Sequence, residues 1–255
     1  MASGGPAFGC AVVIGIGPGL GTSVARKFAK EGYPVALVAR SEKHLKPLQA
    51  TIEKQGGKAL SVCADASSEQ SLKDAFGVIR SQLGDVEVLV YNAGGGMPSW
   101  PPPPVMELDT AVFVNNLQVG CTGAFVAIKE VLPAMTKHKK GTILLTGATA
   151  SLRGGARFAA LAVHKFALRA LAQCVAREVQ PNGVHVAHIV IDGQIGASYA
   201  DEGEMTYHIR KSQPDRAEDS FLNPDAIAAT YWHLHTQDRT AWTHELELRP
   251  YVEKW

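Results

Sequence analysis

Short apolar runs alternate along the chain with longer stretches in which apolar residues recur every three or four positions. The runs CAVVIG (10–15), PVALVA (34–39), KALSVCA (58–64), VEVLVY (86–91), GTILLTG (141–147) and VHVAHIVI (184–191) predict buried strands. The intervening periodicity predicts helices over 21–32, from Ser41 to about Gln55, from Ser67 or Ser68 to Gly84, from about Asp109 to Lys137, over 157–180 and over 224–235. The serines are N-cap residues, and Gly56-Gly57 supplies a stop. WTHELEL (242–248) alternates as a last strand would. Strands alternating with helices of this length imply βαβ units. The expected architecture is α/β: a doubly wound parallel β-sheet with helices on both faces.

Two stretches break the pattern. Pro101–Pro104 can neither continue a helix nor join the middle of a sheet, so an extended loop is expected. Residues 193–223 are polar and weakly periodic, which predicts a flexible substrate loop. No repeat or linker divides the chain, so 1–255 is expected to form a single domain.

Composition narrows the function classes. A 46% hydrophobic content over 255 residues supplies a large core. A net charge of +1 and 7% aromatics argue against nucleic acid and against an anionic membrane surface as partners. Cys10, Cys63, Cys121 and Cys174 are far apart and form no ligand spacing, so no metal site or disulfide framework is expected. Cys10, Cys63 and Cys174 lie in apolar surroundings and are expected to be buried thiols. No run reaches the ~18 apolar residues of a membrane span. The amino-terminal segment lacks a basic leader, which favours a cytoplasmic location.

The first strand runs into Gly15-Ile16-Gly17-Pro18-Gly19-Leu20-Gly21 and then a helix. Glycines there permit a tight turn and let backbone N–H groups approach a pyrophosphate at the helix N-terminus. The second strand ends at Ala39-Arg40, where an NAD-binding chain usually carries an acid. Arginine can instead receive a 2′-phosphate through charge-assisted bonds, so NADP(H) is expected over NAD(H).

Gly15-x-x-x-Gly19-x-Gly21, Asp65 after the third strand and Asn92-Ala93-Gly94 after the fourth together resemble the short-chain dehydrogenase/reductase family. The order of elements agrees from about residue 8 to residue 250. The resemblance implies a Rossmann-like fold with a seven-stranded parallel sheet. It implies that Asp65 bonds the adenine and that Asn92, Ala93 and Gly94 line the cofactor cleft. It also implies that Lys165 binds the nicotinamide ribose, with Gly193 and Ile195 following the sixth strand at the same site.

The proton-transfer half of the family pattern departs. Lys165 is present, but the residue one helical turn earlier, where the family has a Tyr acid, is Leu161. The family's Ser position falls on Ala148, and its Asn position on Gly120, with Asn115 and Asn116 about a turn early. After the sixth strand the usual Pro-Gly reads Asp192-Gly193. Candidate substitutes for the missing acid are His164, whose ring would titrate near neutrality, and Tyr199 in the substrate loop, with Thr149, Ser151, Tyr207 and His208 behind them. His185 and His188, within the sixth strand, are expected to be structural.

Two functions follow. One is an NADPH-dependent reductase of a small hydrophobic substrate that is already electrophilic: an iminium, quinone, enone or activated carbonyl. The other is a pseudoenzyme or non-redox catalyst that uses the nucleotide site as scaffold or sensor. Ala148, Leu161, Met97 and Trp100 suit an apolar substrate. The apolar faces of the helices at 109–137 and 157–180 predict a homodimer or homotetramer.

Overall fold

The computed structural model describes residues 9–97, 99–196 and 217–253. Strands β1 (Cys10–Ile14), β2 (Val35–Ala39), β3 (Ala59–Cys63), β4 (Val86–Tyr91), β5 (Gly141–Thr146), β6 (Val184–Ile191) and β7 (Glu245–Leu248) form one parallel sheet in the order β3-β2-β1-β4-β5-β6-β7. The order reverses between β1 and β4, and the crevice beyond the carboxyl ends of those strands is where ligands bind in such sheets.

Helices cover both faces because the central strands are apolar on both. On one face α3 (Glu69–Leu83), α5 (Gly123–His138) and α6 (Ala159–Val179) bury Phe76, Met135 and Leu168 against Val12, Leu89 and Ile143. On the other, α1 (Leu20–Lys30), α2 (Glu42–Lys54) and α7 (Pro224–His235) bury Phe28, Leu45 and Tyr231 against Val13, Leu37 and Leu144. Of the two candidate caps for α3, Ser68 is the one used: its side chain accepts from the Ser71 amide.

A polar chain crosses the amino-terminal end of the sheet. Lys140 pairs with the fully buried Glu87 at 2.8 Å, and the Tyr33 hydroxyl donates to the same carboxylate oxygen at 2.9 Å. Tyr33 has one proton, so it accepts from His235 Nε2–H at 2.8 Å. The Thr142 hydroxyl then donates to His235 Nδ1 at 2.9 Å.

Four expectations need correction. The helix over 109–137 is two helices, α4 (Thr110–Leu117) and α5, joined by a π turn at Gln118–Thr122. The Tyr91 hydroxyl donates to the Val119 carbonyl inside that turn, where the ordinary ladder is interrupted. The last strand begins only at Glu245, because Trp242 stacks on His185 and leaves the sheet register, with ring centroids 4.8 Å apart. Of the thiols expected to be buried only Cys10 is; Cys63 ends the edge strand β3 and Cys174 faces outward from α6, so both are exposed. Finally, Thr110–His138 and Ala159–Asn182 are long and apolar enough to cross a membrane by length and composition, with mean hydropathy 1.5 and 1.3. Both pack one side against the sheet, which is the ordinary reason for such apolarity in a core helix.

Candidate active site

The carboxyl ends of β1 to β4 enclose a cleft of ≈ 300 Å³. Its wall includes Gly15, Ile16, Arg40, Asp65, Asn92, Ala93 and Gly94, as well as Gly95, Gly96, Asn115 and Val119.

The glycine turn is shaped by close approach. Gly15 has φ +99°, and a Cβ there would lie 2.5 Å from the Ala93 nitrogen. A Cβ on Gly21 would lie 2.3 Å from the Gly15 carbonyl oxygen, so α1 presses directly on the turn. Asn92 latches the two strand ends together: its side-chain amide donates to the Gly15 carbonyl at 2.9 Å and its backbone amide to Ile14 at 2.8 Å. Thr22 closes the loop on the Gly17 carbonyl at 2.6 Å. Gly19 caps α1 and Leu20 is buried beneath it. No side chain caps α1, so its first N–H groups point outward with the positive end of the helix dipole.

Arg40 is exposed at the end of β2. Asp65 accepts from the Ser67 amide and hydroxyl, and these bonds, together with the charge of Arg40, hold its carboxyl below the usual range. The cleft therefore offers a cation and a carboxylate in its wall.

Lys165 is buried at 7% exposure and donates to the Thr146 carbonyl at 2.7 Å. Burial pushes its ammonium down to about 8. Leu161 and Ala148 are half-buried, and Gly120 is buried. None of these three side chains donates or accepts a proton.

The candidate substitutes are placed as follows. His164 is fully buried, its Nδ1 is 2.8 Å from the Ala160 carbonyl, and burial pushes its ring down to about 4. The expectation that it titrates near neutrality is thereby corrected: desolvation keeps it uncharged. Ser151 is buried and accepts from the Ala148 amide at 3.1 Å. Thr149 donates to Asp192, which is itself paired with Arg249 at 2.7 Å. Within β6, His185 bonds the Thr243 carbonyl and His188 bonds Glu245. Gly193 has φ +149° and lies under Pro250, while Ile195 bridges to Leu222. Tyr199, Tyr207 and His208 lie outside the described residues.

Gly95, Gly96 and Val119 were not singled out from the sequence. The buried Asn116 explains Gly95, where a Cβ would lie 2.1 Å from its Oδ1, and its amide donates to the Gly96 carbonyl at 3.3 Å. The three consecutive glycines at 94–96 were the available signal. Met97, Trp100 and Leu152 are exposed, and Trp100 meets Phe158 edge-on at 6.2 Å.

Comparison with known proteins agrees with this geometry. The family model described as short chain dehydrogenase matches residues 9–197. A crystal structure of a short-chain dehydrogenase from Rhodopseudomonas palustris is 36% identical, with TM-score 0.78 over 95% of this chain and 98% of that one. A metagenomic short-chain oxidoreductase in complex with NADP is 25% identical, with TM-score 0.79 over 96% of this chain and 97% of that one. A fatty acyl-CoA reductase from Acinetobacter baylyi is 29% identical over 70% of this chain, and the match spans 60% of that relative's length.

Proposed function

Because the chain belongs to the short-chain dehydrogenase family, we propose that it is an NADP(H)-dependent reductase of a small hydrophobic substrate that is already electrophilic, such as an iminium, a quinone, an enone or an activated carbonyl. The observation that carries this reading is the asymmetry around Lys165. Its ammonium is 3.9 Å from the Cβ position of the cleft residue Gly94, yet Leu161, Ala148 and Gly120, at the family's acid positions, supply no acid. A bound nicotinamide supplies the hydride. An acceptor that is already activated needs orientation and exclusion of water more than a proton in flight.

The cofactor fits the residues present. Gly15 and Gly21 let the turn pack closely, Gly17 leaves open space, and Gly19 precedes the uncapped start of α1, where a pyrophosphate binds. Arg40 takes the 2′-phosphate, Asp65 the adenine, Lys165 the nicotinamide ribose, and Asn92, Ala93 and Gly94 form the wall. Gly193 and Ile195 close the nicotinamide end. The exposed apolar side chains of Met97, Trp100 and Leu152 and the name of the Acinetobacter relative support an apolar substrate. Tyr199, which lies outside the described residues, is the candidate proton donor.

The test is a fluorescence titration with NADPH and NADH, followed by turnover on ketones, quinones, enones and imines. Arg40→Ala is expected to weaken NADPH by about tenfold to a hundredfold and to leave NADH unchanged, the range of a charge-assisted contact. Turnover confined to the activated acceptors supports the reductase. Nucleotide binding without turnover on any acceptor replaces it with the scaffold reading, which the missing acids also favour.

A further inference from the structure

Lys165 marks which face of α6 looks toward the cleft, since its Nζ is 3.9 Å from the Cβ position of Gly94 in the cleft wall. Residues 158, 161 and 165 are spaced three and four apart, so Phe158 and Leu161 share that face at the start of the helix. Seven residues of helix span about 10 Å. Phe158 therefore stands that far along the helix from the lysine, beyond Leu161, and its ring meets Trp100 with centroids 6.2 Å apart and planes at 64°. Trp100 arrives from the other side of the cleft mouth, four residues after Gly96, which also lines the cleft. The indole thus joins the far end of a row that runs from Lys165 through Leu161 to Phe158.

The loop that carries Trp100 is braced. Arg157 Nε donates to the Pro102 carbonyl at 2.5 Å, and the Ser99 hydroxyl donates to the Pro101 carbonyl at 2.9 Å. Pro102 is buried, and the prolines from 101 to 104 fix φ along the segment. Arg157 holds φ +72°, in the left-handed region that a side chain occupies only at a cost. Yet the residue on this braced support is left 66% exposed. An edge-on contact with one ring leaves at least one face of the indole uncovered. A fixed, electron-rich ring with an open face is a platform for a planar partner, and an electron-poor ring complements it best.

We propose that Trp100 is the specificity-determining residue of the reductase and that the substrate is a quinone, stacked on the open face of the indole. Among the activated acceptors the quinone is the one whose whole ring is planar and electron-poor, so it gains most from an aromatic wall. It also has the least need of the acid that Leu161, Ala148 and Gly120 do not supply. The quinone takes a hydride at one carbonyl oxygen: a C–H bond of the dihydronicotinamide breaks, an O–H bond forms, and the electron pair settles on the other oxygen as a phenoxide. A phenol ionises about six pH units more readily than water, so a solvent proton completes the hydroquinone without a catalytic acid. A plain ketone leaves an alkoxide instead, which has no ring to carry its charge. The inference rests on the reductase reading above and names its substrate.

The test is calorimetric titration of the full chain with duroquinone and, in parallel, with isophorone, a non-planar enone of similar size. Each is run with and without NADP+, which has no hydride to give. Duroquinone has every ring position methylated, so it does not add to the exposed thiols of Cys63 and Cys174. Trp100→Leu keeps an apolar side chain and removes the ring, and at an exposed position it leaves the fold intact. Duroquinone is expected to bind Trp100→Leu about tenfold more weakly than wild type, with Trp100→Tyr recovering most of the loss and isophorone unaffected. In turnover with NADPH the same substitution raises KM for the quinone and leaves kcat unchanged. Equal duroquinone binding by wild type and Trp100→Leu, no binding by wild type, or an equal loss for isophorone overturns the proposal. Trp100-dependent binding without reduction overturns the reductase reading and the step above with it, and leaves the stacking site standing. Failure of the cofactor reading is seen separately, as absence of NADP+ binding.

Discussion

Leu161 stands one helical turn before Lys165, with Ala148 across from it at the end of β5. The lysine that would lower a phenol's pKa is therefore already buried and anchored on the Thr146 carbonyl. If general acid help is what the site lacks, putting it back should be enough to widen the substrate range. Leu161→Tyr combined with Ala148→Ser is expected to raise the reduction of plain ketones by about 10²-fold, the lower end of what acid–base catalysis contributes. A steady-state assay with NADPH measures it, and an unchanged rate would mean that Lys165 is not aimed at the position of the new phenol. These departures were legible in the sequence because Lys165 and Gly147 fix the register on either side. The fit of His164 against Gly120 was not, since it depends on two helices approaching each other and leaves only an unexplained mid-helix glycine as its trace. The buried state of the His164 ring was equally hidden, because helix periodicity says which face is covered but not which polar atom is sealed beneath it.

Helix α4–α5 shows the limit of periodicity at the next scale. Its apolar spacing is continuous from 110 to 138, yet the backbone takes an extra residue into one turn. Two contacts from β4 and the turn after β3 accompany this. The Tyr91 hydroxyl bonds the Val119 carbonyl, and Gly123 comes so close that a Cβ would lie 2.3 Å from the Ala66 carbonyl oxygen and 2.4 Å from the Tyr91 hydroxyl. Burial holds the Tyr91 phenol well above its usual range, so it stays a donor at all ordinary pH values. Tyr91→Phe removes the donor and leaves a buried carbonyl unpaired, at a cost of about 1–3 kcal/mol. Urea unfolding is expected to show that loss without a change in slope. An unaltered midpoint would mean that the π turn is held by helix packing alone. The first six strands and the other helices were legible to within a residue or two, because the buried parallel sheet demands unbroken apolar runs.

The whole molecule carries more apolar surface than its own sheet covers. Val114, Phe125, Val163 and Phe166 are each 42–47% exposed on α4, α5 and α6. Pairing of this face between copies is the expected use, giving a homodimer or homotetramer. Light scattering should find more than one chain per particle, and Phe125→Glu with Phe166→Glu should yield a folded monomer; a monomeric wild type refutes the pairing. Acid should also act on the molecule as a whole. Burial pushes His164 and His235 from 6.5 to about 4, so the unfolded chain takes up protons that the native one refuses. Stability is then present above about pH 6.5 and is lost as the pH falls towards 4. Each ring contributes about 2 kcal/mol of loss between pH 7 and pH 5, by the linkage of folding to protonation. Denaturant midpoints at the two pH values measure this, and equal midpoints would contradict the burial of both rings.

The chain of Lys140, Glu87, Tyr33, His235 and Thr142 ties strands and helices together at the amino-terminal end of the sheet. The cleft lies at the other end. Holding the molecule together and shaping its chemistry are thus entrusted to residues separated by the length of the strands. A lineage with this layout can exchange a tyrosine for a leucine, or a serine for an alanine, at the mouth of the cleft and still inherit a folded protein. Natural variation is free to explore new reactions at one end because the other end does not drift with it.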